Sequence, residues 1–297
     1  MTFTIAHLGP AGTYAEQAAL AYAQWWSDQT QRVAPTLVAF PSIAQTLHAV
    51  AQGQTEVAVV PVENSIEGSV TTTLDTLWQL ETLQIRQALV LPIAHVLVAQ
   101  ATQLSTIQTV YSHPQALGQC QQWLHQNLPH AQLISTHSTT EALKYVEADQ
   151  SVAAIASERA AHLYNLPIFA RSIQDHADNC TRFLVVSQPQ SALNIPEIAD
   201  APTYTSLAFS LPKNAPGALV TQLQIFAARN INLSRIESRP TKRSLGEYVF
   251  FIDAEAALET ETMQSAVSLL RHDAERLKIL GSYSTVQILS TVEKPKF

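Results

Sequence analysis

The stretch FTIAHLGPAGTYAEQAALAYAQWW, Phe3 to Trp26, runs from an apolar segment through a Gly-Pro turn into a helical pattern. Phe3 to Leu8 predicts a strand and Thr13 to Trp26 a helix, with Thr13 at its N-cap. The alternation continues outward. Thr36–Phe40, Glu56–Pro61, Leu89–Ala99, Thr109–Ser112, Gln132–Thr136, Val152–Ala156 and Arg182–Ser187 read as extended. Ser42–Gln52, Val70–Leu80, His113–Gln126, Thr139–Glu147 and Glu158–Tyr164 read as helices. Such alternation predicts βαβ units, a largely parallel sheet and an α/β class. Two lobes of this kind joined by crossing segments would enclose a cleft, the usual place for a ligand.

Gln188 to Pro202 holds three prolines and no glycine and reads as a linker. A compact β-α-β-β-α-β order follows: Tyr204–Leu211, Gly217–Arg229, Asn232–Glu237, Gly246–Asp253, Glu261–His272 and Ile279–Leu289. That order is the ferredoxin-like split βαβ. The expected organisation is therefore a two-lobed domain over 1–187, a linker over 188–203 and a smaller domain over 204–290.

Composition narrows the function classes. The chain has 297 residues, 46% apolar and 14% charged, which suits buried cores and argues against disorder. No apolar run is long enough to span a bilayer, and the start shows no signal-peptide pattern. The two cysteines, Cys120 and Cys180, make neither a disulfide framework nor a metal-ligand spacing, so no metal is expected and a reducing cytoplasm fits. A net charge of −7 argues against nucleic acid. Residues 1–187 carry six cations against thirteen acids, so this part holds the whole excess. An anion bound there must rely on one or two placed cations and on backbone N–H groups. Arg182, entering an apolar strand, stands out for that reason.

Four stretches could carry chemistry. LGPAGTYAEQAA (Leu8–Ala19) sets free N–H groups at a strand-to-helix turn, although an ordinary turn reads the same way and no GxGxxG fingerprint is present. VPVENSIEGSV (Val60–Val70) gathers Glu63, Asn64, Ser65, Glu67 and Ser69 after a strand, either as ligand groups or as a polar loop. SHPQALGQC (Ser112–Cys120) crowds Ser112, His113 and Gln115 at a helix start. There His113 could be a general acid or simply a cap. DNCTRFLVV (Asp178–Val186) sets Thr181 and Phe183 on one side of a strand and Arg182 on the other.

In combination and order these stretches resemble the prephenate dehydratase family from about Phe3 to Leu289. GPAGTY, PVENSIEG, SHPQALGQC and NCTRFLV carry the catalytic resemblance, with Cys180 standing where the family pattern has an aromatic residue. PGALV (Pro216–Val220) and IESRP (Ile236–Pro240) are similar to the phenylalanine-sensing motifs of an ACT domain. The resemblance implies a periplasmic-binding-protein-like catalytic domain plus an ACT domain. With no chorismate mutase segment before Phe3, the monofunctional form is expected. The implied reaction converts prephenate to phenylpyruvate, without a cofactor. It assigns leaving-group assistance to Thr181 or His113, and substrate positioning to Asn64, Ser112 and Gln115. It assigns further substrate contacts to Thr13, Glu63, Ser65, Arg182 and Phe183. Effector contacts for L-phenylalanine fall on Gly217, Ala218, Leu219, Val220, Asn232, Leu233, Glu237, Ser238, Arg239 and Pro240. A homodimer or homotetramer is implied. An arogenate dehydratase and a non-catalytic two-lobed sensor are the alternatives.

Overall fold

The computed structural model describes residues 3–147, 149–190, 195–196, 198, 201–212 and 214–288. The first lobe contains β1 (Thr4–Leu8), α1 (Tyr14–Thr30), β2 (Thr36–Phe40), α2 (Ile43–Ala51), β3 (Val57–Asn64), β4 (Gly68–Ser69), α3 (Thr71–Gln79) and β5 (Gln84–Pro92). The chain then crosses to a second lobe of β6 (Val96–Ala99), β7 (Thr109–Ser112), α4 (Pro114–Gly118), α5 (Gln121–Asn127), β8 (Gln132–Ser135), α6 (Thr139–Val146), β9 (Val152–Ala156), α7 (Glu158–Leu163) and β10 (Ile168–Ala170). It returns through β11 (Cys180–Ser187). The rear unit is β12 (Thr203–Ser210), α8 (Ala218–Ala227), β13 (Leu233–Pro240), β14 (Tyr248–Ala254), α9 (Glu261–Asp273) and β15 (Arg276–Gln287).

The sheets are mixed rather than largely parallel. β1, β2 and β3 are parallel, but β11 lies antiparallel between β3 and β5. In the second lobe β7, β8 and β9 are parallel, β6 runs against them, and β10, antiparallel to β6, runs with them. The lobe crossings cause this. β11 and β6 each enter a lobe from the cleft side and so run opposite to the strands that end there. For the same reason the Leu89–Ala99 run divides into β5 and β6. The expected helix over His113–Gln126 also breaks, because Asp175 from the return crossing accepts the N–H groups of Gln122 (3.1 Å) and Trp123 (3.3 Å) and starts α5 anew.

Alternation places the core. Phe183 and Val185 of β11 pack with Ile5, Ala18, Tyr22 and Val57 on the α1 side. Leu184 and Val186 pack with Leu47, Val60, Leu74 and Leu77 on the α2–α3 side. Helix α1 buries Ala15, Ala18, Ala19, Tyr22 and Trp26, the stripe expected of one helix face. The lobes meet where Ser157 Oγ donates to the Gly12 carbonyl (3.0 Å) and Arg159 pairs with Glu16 (3.0 Å). Gly12 sits at φ +86°, and a Cβ there would come 2.9 Å from the Thr140 methyl, so only glycine permits this approach.

The rear unit has the expected ferredoxin-like order, β13-β14-β12-β15, all antiparallel. It is also continuous with the first lobe. β15 pairs with β12 on one side and in parallel with β5 on the other, giving one ten-stranded sheet. A Cβ on Gly281 of β15 would lie 2.2 Å from the Ile85 carbonyl oxygen, so the crossing requires a residue without a side chain. Of the expected linker, 191–194, 197 and 199–200 lie outside the described residues, as do Leu289 and the end of the expected 204–290 domain.

Candidate active site

The carboxyl ends of β1, β3 and β7 and the start of β11 open onto a cleft of about 750 Å³ between the lobes. Helices α1, α3, α4 and α6 also begin there. Of the expected site residues, Thr13, Asn64, His113, Gln115, Thr181 and Phe183 line it. None of the described lining residues is a lysine or arginine, so an anionic ligand must be held by N–H groups, hydroxyls and imidazoles. Three helices are capped from within by Thr13, His113 and Ser138. At α3 the N-cap is Val70, which has no side-chain bond to the helix, and Thr71 and Thr72 follow it at the cleft. The first-turn N–H groups of α3 are therefore the ones free of a side-chain cap, at the positive end of a helix.

Thr181 is 9% exposed, at the cleft wall. Its Oγ1 accepts a hydrogen bond from Asn64 Nδ2 at 2.9 Å. Asn64 is itself fixed: Nδ2 also faces Asn179 Oδ1 (2.9 Å) and the Cys180 carbonyl (3.1 Å), while Oδ1 accepts from the N–H groups of Ile66 and Glu67, both at 3.0 Å. With its lone pair engaged by Asn64, the Thr181 hydroxyl retains its own hydrogen for the cleft.

A chain of bonds runs outward from this pair. Asn179 Nδ2 donates to Gln119 Oε1 (2.9 Å), which also lies 2.9 Å from His95 Nε2. Gln119 Nε2 reaches Glu67 (3.4 Å), and His95 Nδ1 lies 3.0 Å from the Tyr14 hydroxyl. Burial pushes His95 below its usual range and outweighs the opposing bond from Gln119, so the ring is neutral at pH 7. Burial likewise pushes the Tyr14 phenol up, and the Cys120 thiol up to about 12. Tyr14, Glu67, Gln119 and Asn179 fall inside the conspicuous sequence stretches yet gave no sign of their roles. His95 falls in none of them, and its only signal is being a polar residue buried between two strands.

His113 accepts from the Gln115 N–H through Nδ1 (3.3 Å), which leaves its proton on Nε2. Burial lowers its pKa against the pull of Glu67, so little imidazolium is present at neutral pH.

Four expected substrate contacts lie elsewhere. Arg182 projects from the opposite face of β11 to Thr181 and donates to Glu63 (2.9 Å) and to Asp253 of the rear unit (2.7 Å). Strand alternation is the reason, and it withdraws both Arg182 and Glu63 from the cleft. Burial works against the Arg182 charge, but Asp253 and Glu63 outweigh it. Ser112 is fully buried and donates to the Ile155 carbonyl (2.6 Å), tying β7 to β9. Ser65 donates to Asn179 (3.3 Å) and accepts from the Cys180 N–H (3.0 Å), closing the loop behind Asn64.

The expected effector residues divide in two. Gly217, Ala218, Leu219 and Val220 line a hollow of about 470 Å³ at the start of α8, beside Arg243 and Tyr248. Asn232, Leu233, Glu237, Ser238, Arg239 and Pro240 do not line it. On β13 the alternation turns Glu237 and Arg239 toward the first lobe and leaves Ser238 and Pro240 exposed along the sheet edge.

The description "Prephenate dehydratase" belongs to the family model matching residues 5–191, and "ACT domain" to that matching 205–268. A bifunctional chorismate mutase/prephenate dehydratase of Aquifex aeolicus is 38% identical over 279 residues, covering 94% of this chain and 73% of the relative. A prephenate dehydratase of Amycolatopsis methanolica is 36% identical over 290 residues, covering 97% and 91%. The crystal structure of an Arthrobacter aurescens prephenate dehydratase in complex with L-Phe superposes with a TM-score of 0.82 at 35% identity, covering 95% and 90%. These matches favour neither the arogenate-specific nor the sensor alternative. A cleft walled by an Asn64-braced threonine, in a chain matched along both parts of its length, has one consistent reading: the chain belongs to the prephenate dehydratase family, a family of hydro-lyases, and carries an ACT regulatory domain.

Proposed function

We propose that the cleft carries out the decarboxylating dehydration of prephenate to phenylpyruvate, with Thr181 assisting the leaving group. The bond from ring carbon C1 to its carboxylate breaks, and its electron pair enters the ring. The C4–O bond breaks, the oxygen leaves with its own pair and takes up a proton, and the products are CO₂, water and an aromatic ring. Aromatisation drives the step, so the protein's task is to hold a dianion and stabilise charge on the departing oxygen. The observation that carries this reading is the Asn64–Thr181 bond, which leaves the threonine O–H as a donor at the cleft wall. Asn64 holds that donor, and Gln115 and His113 face the same space as neutral hydrogen-bonding groups. The uncapped start of α3, with the Ser69, Thr71 and Thr72 hydroxyls beside it, suits a carboxylate. Thr13 and Phe183 shape the floor, the latter as an apolar wall for the ring.

Purified protein incubated separately with prephenate and with arogenate tests the assignment. Phenylpyruvate from the first and no phenylalanine from the second is the expected result. Glu67, the one carboxylate among the described lining residues, would suit an ammonium, so the second arm is informative. Turnover of neither substrate overturns the reading.

We further propose L-phenylalanine as effector, bound in the hollow at Gly217–Val220, where Gly217 at φ +80° opens the start of α8. The exposed β13 edge, with Asn232 and Ser238, would close the site from a second copy. That arrangement calls for a homodimer or a dimer of dimers. Calorimetry with phenylalanine and sedimentation with and without it test both points. A reducing cytoplasm is the proposed setting, since Cys120 and Cys180 are both free thiols.

A further inference from the structure

Helix α3 is held along its whole length by side chains of the ACT domain. At its cleft end, Ser69 Oγ donates to Glu237 (3.0 Å) and accepts from Arg235 (3.4 Å). At its middle, Asp75 accepts from Arg239 at 3.3 and 3.4 Å and from Lys242 at 2.7 Å. At its far end, Lys278 donates to the carbonyls of Leu77 (2.6 Å) and Leu80, while Arg276 donates to the Trp78 carbonyl (2.9 Å) with its guanidinium 4.0 Å above the Trp78 ring. The last two cations supply what the carboxyl end of a helix lacks, partners for its free carbonyls and a positive charge at its negative pole.

The helix has nine residues, so its two ends lie about 13 Å apart. One end is the uncapped N-terminus at the cleft. The other is held against β15 by Arg276 and Lys278. Its apolar face, Leu74 and Leu77, is packed in the core, which makes the helix a stiff rod. The acidic first lobe is thus docked on cations of the ACT domain, and they fall on the helix that begins at the cleft without a side-chain cap.

We propose that the ACT domain sets the position of the substrate-binding end of α3, and that Asp75 and Lys278 are positioning residues for the reaction. The proposal rests on the reading of the cleft as the prephenate site. It also gives the IESRP segment a second use. Glu237 and Arg239 already hold Ser69 and Asp75, so an effector that recruits either side chain must exchange those bonds and release α3. The effector then acts by differential affinity for the clamped and released arrangements.

The test uses the full-length chain with Asp75→Asn and Asp75→Glu, both remote from the reacting atoms. Asp75→Asn is expected to raise KM for prephenate about five- to tenfold while kcat stays within about twofold, because ground-state and transition-state binding are lost together. Asp75→Glu keeps the charge and should recover most of the loss. Lys278→Met should give the same split. Hydrogen exchange supplies a readout independent of turnover: the amides of residues 71–74 should exchange faster in Asp75→Asn while β1 and β9 are unchanged. If wild-type protein fails to consume prephenate, the functional reading falls, and the exchange result still decides the clamp. Unaltered KM with unaltered exchange at 71–74 overturns the proposal. So does a loss of melting temperature in Asp75→Asn with unchanged KM, since the clamp is then only structural.

Discussion

Replacing Thr181 by valine removes one hydroxyl and leaves the shape of the wall intact. The magnitude follows from the partners. Asn64 Nδ2 has two hydrogens and three acceptors within reach: Thr181 Oγ1 (2.9 Å), Asn179 Oδ1 (2.9 Å) and the Cys180 carbonyl (3.1 Å). Losing Oγ1 therefore leaves no orphaned donor, and the stability change should be about 1 kcal/mol or less. The lost donor at a developing oxyanion is worth about 3–4 kcal/mol, which is a drop of roughly 10²–10³ in kcat. KM should move little, because the proposed carboxylate site is elsewhere, at the start of α3. Thr181→Ser keeps the hydroxyl and should stay within about tenfold of wild type. The assay is phenylpyruvate formation from prephenate under saturating substrate, with thermal melts in parallel. A Thr181→Val enzyme within about fivefold of the wild-type kcat would refute the assignment, as would one that loses activity only through KM.

Arg182→Met should leave kcat and KM within about twofold and lower the melting temperature. It strands the buried Asp253 carboxylate with Arg235 3.6 Å away, a loss of about 3 kcal/mol. A large rise in KM would return Arg182 to the substrate. Gly281→Ala should destabilise the chain by at least about 1–3 kcal/mol, because the new methyl meets the backbone of Ile85 and not a movable side chain. A melt matching wild type would show that β15 and β5 separate easily. His95 has a folded pKa below its unfolded value, so from about pH 6.5 downward the unfolded chain binds a proton that the folded chain does not. Stability should then fall with acidification by up to about 1.4 kcal/mol per pH unit from this group, and His95→Gln should flatten that slope in denaturant titrations at pH 5–7. Parallel slopes in the two proteins would locate the acid sensitivity at other groups.

The elements were legible where one period ruled. The 3.6-residue stripe of Ala15, Ala18, Ala19 and Tyr22 and the buried run of β3 could hardly be read otherwise. Strand direction was not legible, because apolar β11 reads alike in either sense and only the return from the second lobe turns it antiparallel. The joining of β15 to β5 was hidden for a related reason. Gly281 looks like any glycine in a strand, and its meaning depends on a backbone nearly two hundred residues earlier in the chain.

Arg182 shows how the site argument from sequence divided. A cation entering an apolar strand of an acidic domain signals a buried anionic partner, but sequence gives no distance. The anion that Arg182 meets in the structure is Asp253 of the ACT domain. The alternation rule did contain the answer, since Thr181 and Arg182 cannot share a face of one strand. Thr181 and Phe183 take the cleft and Arg182 takes the domain contact. One strand therefore faces two ways: it presents a hydroxyl to the cleft on one side and an arginine to the ACT domain on the other. Its neighbour α3 repeats that arrangement along its length, with a free first turn at the cleft and ACT cations behind it. On the proposed reading a signal needs no moving linker, because the elements that line the cleft are the same ones the ACT domain holds.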